Sequence, residues 1–185
     1  MIEYDRPTKD KIAVVTGASG GIGRATAIAF AERGFGVALL ARGKAGLAAA
    51  AGDVRRSGGR ALCCPVDIAE FDQVDTAATR IEAELGEIDV WVNDAMTTVF
   101  SPFARLDPAD FKRAVEVTFL GQVWGTKAAL DRMRPRNRGS IVNVGSALAF
   151  IGIPLQSPYC AAKFACRGFL SPHVPSSFTT IATCG

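Results

Sequence analysis

Three side chains able to do acid–base chemistry follow one another in the last third of the sequence: Ser146, Tyr159 and Lys163. Tyr159 and Lys163 are four residues apart, so on a helix they share one face. An ammonium group beside a phenol favours the phenolate and lowers the phenol's pKa from its usual value of about 10. Such a tyrosine can act as general acid in carbonyl reduction and as general base in alcohol oxidation. Ser146 could hydrogen-bond the substrate oxygen as charge develops on it.

A glycine-rich segment, TGASGGIG at 16–23, follows a strand-like run and precedes a helical one. Gly17 permits a tight turn, Gly21 lets a pyrophosphate approach the backbone, and Gly23 lets helix and strand pack closely. The free N–H groups and partial positive charge of a helix N-terminus suit phosphate groups. An ordinary glycine turn is the alternative, but the strand–turn–helix context favours a dinucleotide-phosphate site.

Short apolar runs alternate with helical periodicities along the chain, and Asp107-Pro108 forms a good start for the fourth helix. Such alternation predicts a parallel sheet covered by helices on both faces, with right-handed crossovers. The expected strands are 11–16, 36–41, 59–65, 88–93 and 140–144, and the expected helices are 24–33, 44–57, 70–85, 108–133 and a last one from 157 through Cys166.

The order of these motifs resembles that of the short-chain dehydrogenase/reductase family over about residues 10–169. The spacing TGxxxGIG, the asparagine after the fourth strand, and Ser146 thirteen residues before Tyr159 carry the resemblance. It implies one NAD(P)-binding domain over 1–185, a Rossmann-type, doubly wound parallel β-sheet that is C-terminally truncated. It also implies hydride transfer between nicotinamide and an alcohol or carbonyl. An epimerase or dehydratase on the same scaffold is less favoured, because those chains are usually longer.

The resemblance further implies which residues serve the cofactor and the catalysis. Asp67 and Ile68 would lie beside the adenine, and Asn93 and Ala95 near the adenosine ribose. Tyr159 and Lys163 would also bind the cofactor, with Lys163 hydrogen-bonding the nicotinamide ribose, while Ser146 and Tyr159 act on the substrate. The predicted cofactor-binding residues of the glycine turn are Gly17, Ser19, Gly21, Ile22 and Gly23.

Arg42 bears on the choice of nicotinamide cofactor. An acidic residue closing the second strand would accept hydrogen bonds from the ribose hydroxyls of NAD, but this strand ends Leu40-Ala41-Arg42. A guanidinium there can pair with the 2′-phosphate of NADP. NADP is therefore predicted over NAD, although a solvated surface arginine in a loop that also carries Lys44 is the alternative.

The chain departs from the family pattern at three positions. The family usually reads Asn-Asn-Ala-Gly after the fourth strand, whereas this chain has Asp94 and Met96 in place of the second Asn and the Gly. Thr118 stands where the family has an Asn that helps relay protons. Its hydroxyl can donate and accept hydrogen bonds with a shorter reach. Thr118 is thus a candidate catalytic residue, with packing alone as an equal alternative.

The tail 170–185 differs in character from the chain before it. It has no helical period and is broken by prolines and by Ser and Thr pairs. Codons can be chosen so that reading one base out of register yields a charged, amphipathic stretch, which favours a frameshift. A divergent C-terminus is the alternative. Without later strands the sheet would lose an edge, so a catalytically impaired dinucleotide-binding fragment is the second interpretation. The substrate is not predicted, beyond a near wall that Phe150, Ile153, Pro154 and Leu155 make apolar.

Composition excludes several other classes of function. With 49% hydrophobic residues, 21% charged residues and a net charge of +3 without a basic run, nucleic-acid binding is disfavoured. A Ser-His-Asp hydrolase needs an imidazole, and the only histidine, His173, lies in the tail. The five cysteines lack metal-ligand spacing, so we predict reduced thiols and no metal. With no signal peptide or apolar membrane span, a soluble cytoplasmic protein is expected. A homo-oligomer through the long helix is consistent with the family pattern.

Overall fold

The computed structural model describes residues 8–170 and, for their backbone, 179–182. Within these residues, six parallel strands form one sheet in the order β3-β2-β1-β4-β5-β6. The first strand, β1, thus lies inside the sheet. The next two strands extend the sheet on one side of β1, and the last three extend it on the other side. The strands are β1 (Ile12–Thr16), β2 (Gly36–Ala41), β3 (Ala61–Pro65), β4 (Ile88–Asn93), β5 (Ser140–Val144) and β6 (Thr179–Ala182).

The helices cover both faces of this sheet, because the central strands are apolar on both sides. All five residues of β1 are buried. Val15 and Leu39 face a cluster under the first two helices, whereas Val14 and Trp91 face a second cluster under the third and fifth. The predicted doubly wound α/β fold is confirmed. The helices are α1 (Gly21–Glu32), α2 (Lys44–Arg56), α3 (Phe71–Glu84), α4 (Pro108–Val115), α5 (Gly121–Met133) and α6 (Ser157–Leu170).

The helix expected over 108–133 is not regular. Asp107 caps α4 as predicted, its Oδ1 accepting a hydrogen bond from the Ala109 N–H at 2.8 Å. Between α4 and α5, however, Glu116–Leu120 forms a π-helical segment. A π segment inserts one extra residue into a helical turn, which rotates the side chains within it relative to a regular α-helix. No helix within 8–170 is long and apolar enough to cross a membrane.

The expectation that the sheet ends at β5 is wrong. Thr179–Ala182 pairs in parallel with β5, from Ile141 opposite Thr179 to Val144 opposite Ala182. The outer side of β5 would otherwise present a row of unpaired backbone groups, and the β-branched run TTI suits a strand that pairs with them. Residues 171–178 and 183–185, which include His173 and Cys184, lie outside the described part of the chain.

Candidate active site

The glycine turn between β1 and α1 has the geometry that its sequence predicts. Gly17 and Gly21 have φ of +70° and +53°, values that side-chain-bearing residues rarely adopt. A Cβ on Gly23 would lie 2.6 Å from the Gly17 carbonyl oxygen, so this position needs a glycine for close packing. Gly20 precedes α1 and has no side chain that could cap the first N–H groups of the helix, of which the Gly23 N–H bonds to Asp94.

Two cavities flank this turn at the carboxyl ends of the strands. One has a volume of about 460 Å³ and the other about 500 Å³. Gly17, Ser19 and Met96 line both of them, so the two cavities adjoin across the turn. We call them the β2–β3 cavity and the β5–α6 cavity after the elements on their outer sides.

The β2–β3 cavity contains the residues that the resemblance assigns to the adenosine half of a dinucleotide. Arg42, Asp67, Ile68 and Ala95 all line it. Arg113 of α4 lines it as well and was not singled out from the sequence. An arginine on an exposed helix has no distinguishing sequence signal, because its role here depends on Asp67, which is 46 residues away in the chain.

The β5–α6 cavity brings together Ser146, Tyr159 and Lys163, with Gly21 and Ile22 of the glycine turn on its opposite side. The Lys163 Nζ donates a hydrogen bond to the Val144 carbonyl oxygen at 2.7 Å and lies 5.7 Å from the centroid of the Tyr159 ring. These contacts place the ammonium charge between the end of β5 and the phenol.

Ser146 is held at the start of a short 3₁₀ turn that follows β5. Its Oγ accepts a hydrogen bond from the Leu148 N–H at 3.1 Å. Because that contact uses an oxygen lone pair, the hydroxyl hydrogen can be donated into the cavity. Tyr159 and Lys163 are 9% and 4% exposed, so the acid–base groups lie where bulk water has little access. The cavity can therefore hold a substrate oxygen among two hydroxyl groups and one ammonium group.

Asn93, expected near the adenosine ribose, does not bring its side chain to either cavity. Its Nδ2 donates to the Asn143 Oδ1 and the Thr126 Oγ1, and its Oδ1 accepts from the Trp91 Nε1, at 2.9 to 3.1 Å. These bonds join β4, β5 and α5 inside the protein. Only the backbone of Asn93 remains as a means of contact with a cofactor.

Thr118, the candidate for proton relay, is also engaged elsewhere. Its Oγ1 donates to the Thr97 carbonyl oxygen at 2.9 Å and accepts from the Thr97 N–H at 3.0 Å. The side chain is 1% exposed and lines neither of the two cavities. The geometry favours the packing alternative, in which the π segment directs this hydroxyl to the loop after β4.

Thr16 is a functional neighbour that the sequence did not single out. Its Oγ1 accepts hydrogen bonds from the N–H groups of Asp94 and Ala95 at 2.9 and 3.0 Å. It therefore fixes the loop after β4 against the glycine turn. Its place directly before Gly17 is the only sequence signal, and the partners lie 78 and 79 residues further on.

Asp94 places a carboxylate against the start of α1. Its Oδ2 is 2.9 Å from the point where a Cβ on Gly23 would lie, and the residue lines the β5–α6 cavity. Burial raises the pKa of Asp94 to about 6, although the charge of Lys163 and the N–H of Gly23 favour the ionised form. Asp94 therefore changes its charge close to neutral pH, whereas an asparagine in this place would not.

Asp94→Asn is expected to stabilise the fold in a pH-dependent way. Because the pKa of Asp94 is raised on folding, the native protein loses stability as the pH rises from about 4 to about 6, while the amide is unaffected. The advantage of the variant should be near zero at about pH 3, below the ordinary pKa of an aspartate, and reach about 1–2 kcal/mol at pH 7.5, after allowance for partial exposure. Urea unfolding at several pH values measures it.

The exposed Asp110, in the first turn of α4, provides the control for this experiment. Asp110→Asn removes the same charge from a helix N-terminus, where a carboxylate is stabilising, so it should give no gain at high pH. An advantage of Asp94→Asn that is the same at all pH values would contradict the burial of its charge.

The strand order and the glycine turn define a Rossmann-type protein. The chain belongs to the short-chain dehydrogenase family, whose model, described as short chain dehydrogenase, matches residues 11–173. It is 35% identical over 162 residues to the uncharacterized oxidoreductase YxnA of Bacillus subtilis (strain 168), covering 87% of this chain and 46% of YxnA. It is 38% identical over 160 residues to a 3-oxoacyl-[acyl-carrier-protein] reductase of Bos taurus, covering 86% of this chain and 66% of that protein.

Solved structures agree with this assignment. A metagenomic short-chain oxidoreductase in complex with NADP superposes with a TM-score of 0.87 at 27% identity, over 96% of this chain and 82% of that one. Levodione reductase superposes with a TM-score of 0.82 at 29% identity, over 86% of this chain and 63% of that one. The chain spans about half the length of the first curated relatives that it matches.

Proposed function

We propose that this protein is an NADP-dependent oxidoreductase that interconverts a carbonyl and an alcohol by hydride transfer. The observation that carries the proposal is the single cavity that holds Ser146, Tyr159 and Lys163 and adjoins the glycine turn. Membership of a family of oxidoreductases supports the reaction class. The start of α1, which has no side-chain cap, and the close approach allowed at Gly17 and Gly21 fit a pyrophosphate.

Three residues of the cavity have a defined part in the proposed reaction. In reduction, the Tyr159 hydroxyl donates its proton to the carbonyl oxygen, and in oxidation the tyrosinate accepts the alcohol proton. The Ser146 hydroxyl donates a hydrogen bond to the same oxygen and stabilises its developing negative charge. The Lys163 ammonium, held by the Val144 carbonyl, stabilises the phenolate form of Tyr159. When bound, the nicotinamide supplies or accepts the hydride.

Turnover is tested directly by adding a panel of ketones and aldehydes and following the oxidation of NADPH. The loss of reduced nicotinamide is measured by its absorbance at about 340 nm. Substrate-dependent loss of absorbance supports the proposal. The apolar side chains of Phe150, Ile153 and Leu155, all substantially exposed in the segment between Ser146 and α6, make hydrophobic carbonyl compounds the first members of the panel. Binding of NADPH without turnover of any member would favour the second candidate below.

The choice of NADP rests on Arg42, the first residue after β2. It is exposed, lines the β2–β3 cavity and stands where an NAD-specific protein would carry a carboxylate. The Asp67 carboxylate in the same cavity is engaged by Arg113 and Ala69, so it leaves the Arg42 guanidinium available to a 2′-phosphate. The similar structure in complex with NADP supports the same choice.

Arg42→Ala is expected to weaken NADPH binding by tenfold or more and to change NADH binding by less than about threefold, because only NADPH carries the 2′-phosphate. Fluorescence titration measures both dissociation constants. Lys44→Ala is the matched control, since Lys44 carries the same charge two residues further on, at the start of α2, but does not line the cavity. Wild-type protein that binds NADH tenfold more tightly than NADPH would overturn the choice.

A second candidate is a catalytically impaired dinucleotide-binding fragment of such an enzyme. The observation that favours it is the apolar segment between Ser146 and α6, where Phe150, Ile151 and Leu155 are 58%, 61% and 48% exposed. Exposed apolar groups in such number usually face another part of the protein or a partner. Resequencing the coding DNA from the codon for Cys166 onward tests the frameshift proposed for the tail. An extra base would support the frameshift, and confirmation of the present reading would exclude the frameshift.

A further inference from the structure

Asp94 brings a carboxylate to the part of the site that the glycine turn offers to phosphate groups. It lines the β5–α6 cavity together with Gly20, Gly21 and Ile22 at the start of α1. Its side chain accepts a hydrogen bond from the Gly23 N–H, which belongs to the first turn of that helix. A negative charge of the protein itself therefore lies at the helix end where the proposed function puts a pyrophosphate.

The position of this carboxylate is fixed from two sides. The Thr16 Oγ1 accepts hydrogen bonds from the N–H groups of Asp94 and Ala95 at 2.9 and 3.0 Å, which ties the loop after β4 to the end of β1. On the side of α1, the Asp94 Oδ2 lies 2.9 Å from the point that a Cβ on Gly23 would occupy. The carboxylate thus stays beside α1, and an anion that enters the cavity has to share this space with it.

Charged and titratable groups reach Asp94 from α6 and lie near it on α1. From α6, Lys163 contributes a positive charge that favours the ionised carboxylate, and the Tyr159 phenol lines the same cavity. On α1, Arg24 is directed to Asp53 of α2. Burial outweighs the favourable contacts and raises the pKa of Asp94 to about 6. The carboxylate is therefore mostly ionised at neutral pH but accepts a proton readily.

We propose that Asp94 controls dinucleotide affinity by taking up a proton from solvent as the pyrophosphate binds, so that binding weakens as the pH rises through neutrality. The linked phosphates of a dinucleotide stay negative throughout this pH range. An ionised carboxylate beside them is repelled by their charge, whereas the protonated form is not. Binding therefore raises the pKa of Asp94 further. This inference rests on the proposed function, because it assumes that a dinucleotide occupies the glycine turn.

The direction of the pH dependence follows from this difference in pKa. Well below pH 6, Asp94 is protonated in the free protein and in the complex, so its charge has no effect on binding. Between the pKa of the free protein and the higher pKa of the complex, each bound dinucleotide takes up part of a proton and the affinity falls. Above both values the carboxylate is ionised in both states, and the affinity levels off at its lowest value.

A simpler role for Asp94 is to cap the first turn of α1 through the Gly23 N–H. An asparagine side chain at position 94 has a carbonyl oxygen that can accept the same hydrogen bond, so Asp94→Asn keeps the cap and removes only the charge. The two roles differ in one measurable quantity, the ratio of the wild-type dissociation constant to that of Asp94→Asn. A cap alone leaves this ratio constant with pH, whereas repulsion makes it rise.

The experiment titrates both proteins with NADPH by fluorescence between pH 5.5 and 8.5. The ratio should be within about twofold of one at pH 5.5 and reach at least about tenfold at pH 8.5. A phosphate monoester such as the 2′-phosphate also titrates near a pH of about 6, but it affects both proteins equally and cancels in the ratio. Asp110→Asn, which removes an exposed carboxylate that lines neither cavity, should bind like the wild type at every pH.

Proton uptake gives a second measurement that does not depend on the size of the affinities. Isothermal titration calorimetry at pH 7, in two buffers of different ionisation enthalpy, counts the protons bound with NADPH. Wild-type protein should take up about half a proton more than Asp94→Asn, because most of its Asp94 is ionised before binding and less of it afterwards. Asp110→Asn should take up as many protons as the wild type.

Two results would overturn the inference. One is a ratio that is the same at pH 5.5 and 8.5, since the charge of Asp94 would then not oppose binding. The other is equal proton uptake by the wild type and Asp94→Asn. If neither protein binds NADPH at any pH, the proposed function is rejected and the inference with it. Binding that is independent of pH in both proteins rejects the inference alone.

Discussion

Tyr159→Phe is expected to lower kcat for carbonyl reduction by about a thousandfold, within the range of 10² to 10⁴ that general acid–base groups contribute. The substitution removes only the phenol oxygen. The ring remains in its buried place on α6, beside the Lys163 Nζ. Binding of NADPH should change by less than about threefold, because the phenol oxygen faces the substrate side of the cavity in the proposed reaction. Steady-state kinetics with the best substrate of the panel, together with a binding titration, measure both effects.

Phe164→Leu provides the control on the same helix. Phe164 is 44% exposed and does not line the β5–α6 cavity, so its replacement should leave kcat within about twofold of the wild-type value. Turnover that survives in Tyr159→Phe would refute the assignment of Tyr159 as the acid. Loss of NADPH binding in that variant would instead give Tyr159 a role in holding the cofactor.

Gly125→Ala is expected to destabilise the protein by about 3 kcal/mol or more, although alanine is the better helix former by about 1 kcal/mol. A Cβ at this position of α5 would lie 2.1 Å from the Asn93 Oδ1 and 2.8 Å from the Trp91 Nε1. Neither group can yield without breaking the buried hydrogen bonds that Asn93 makes to Thr126 and Asn143. Buried polar groups that lose their partners cost about 1–3 kcal/mol each.

Gly52→Ala is the matched control, because it also places a methyl group inside a helix. In α2 the new Cβ would meet only the flexible end of the Arg56 side chain, at 3.4 Å. This variant should gain about 0.5–1 kcal/mol through helix propensity alone. Urea unfolding of the two variants should therefore give changes of opposite sign. Equal changes would show that the space beside Gly125 is not limiting.

Local pattern was sufficient to predict the fold and the centre of the candidate site. The five strands over residues 11–144 lie within one or two residues of the expected runs. The pattern is clearest for β1 and β2, because strands buried on both faces must be apolar throughout. The glycine turn was predictable since positive φ at Gly17 and Gly21 favours one residue type. Ser146, Tyr159 and Lys163 meet in one cavity, as expected for residues at the end of a strand and on the helix that follows it.

Contacts between distant parts of the chain were beyond that kind of prediction. The amide of Asn93 suits contact with a cofactor, and the hydroxyl of Thr118 suits proton relay. Both side chains nevertheless form their hydrogen bonds with protein groups in other parts of the chain. Arg113 lines the β2–β3 cavity only because the fold brings α4 within reach of Asp67, two residues after β3. The strand at 179–182 forms because β5 offers it an unpaired edge.

The physical reason is the same in each case. Turn geometry, capping and apolar periodicity depend on a residue and its near neighbours, so they can be read along the chain. The partner of a polar side chain depends on which other groups the fold brings within about 3 Å, and most buried donors and acceptors have such a partner. The residues able to do chemistry were therefore evident from their types and spacing. Packing in the tertiary structure decided which of them line the cavities and which hold the fold together.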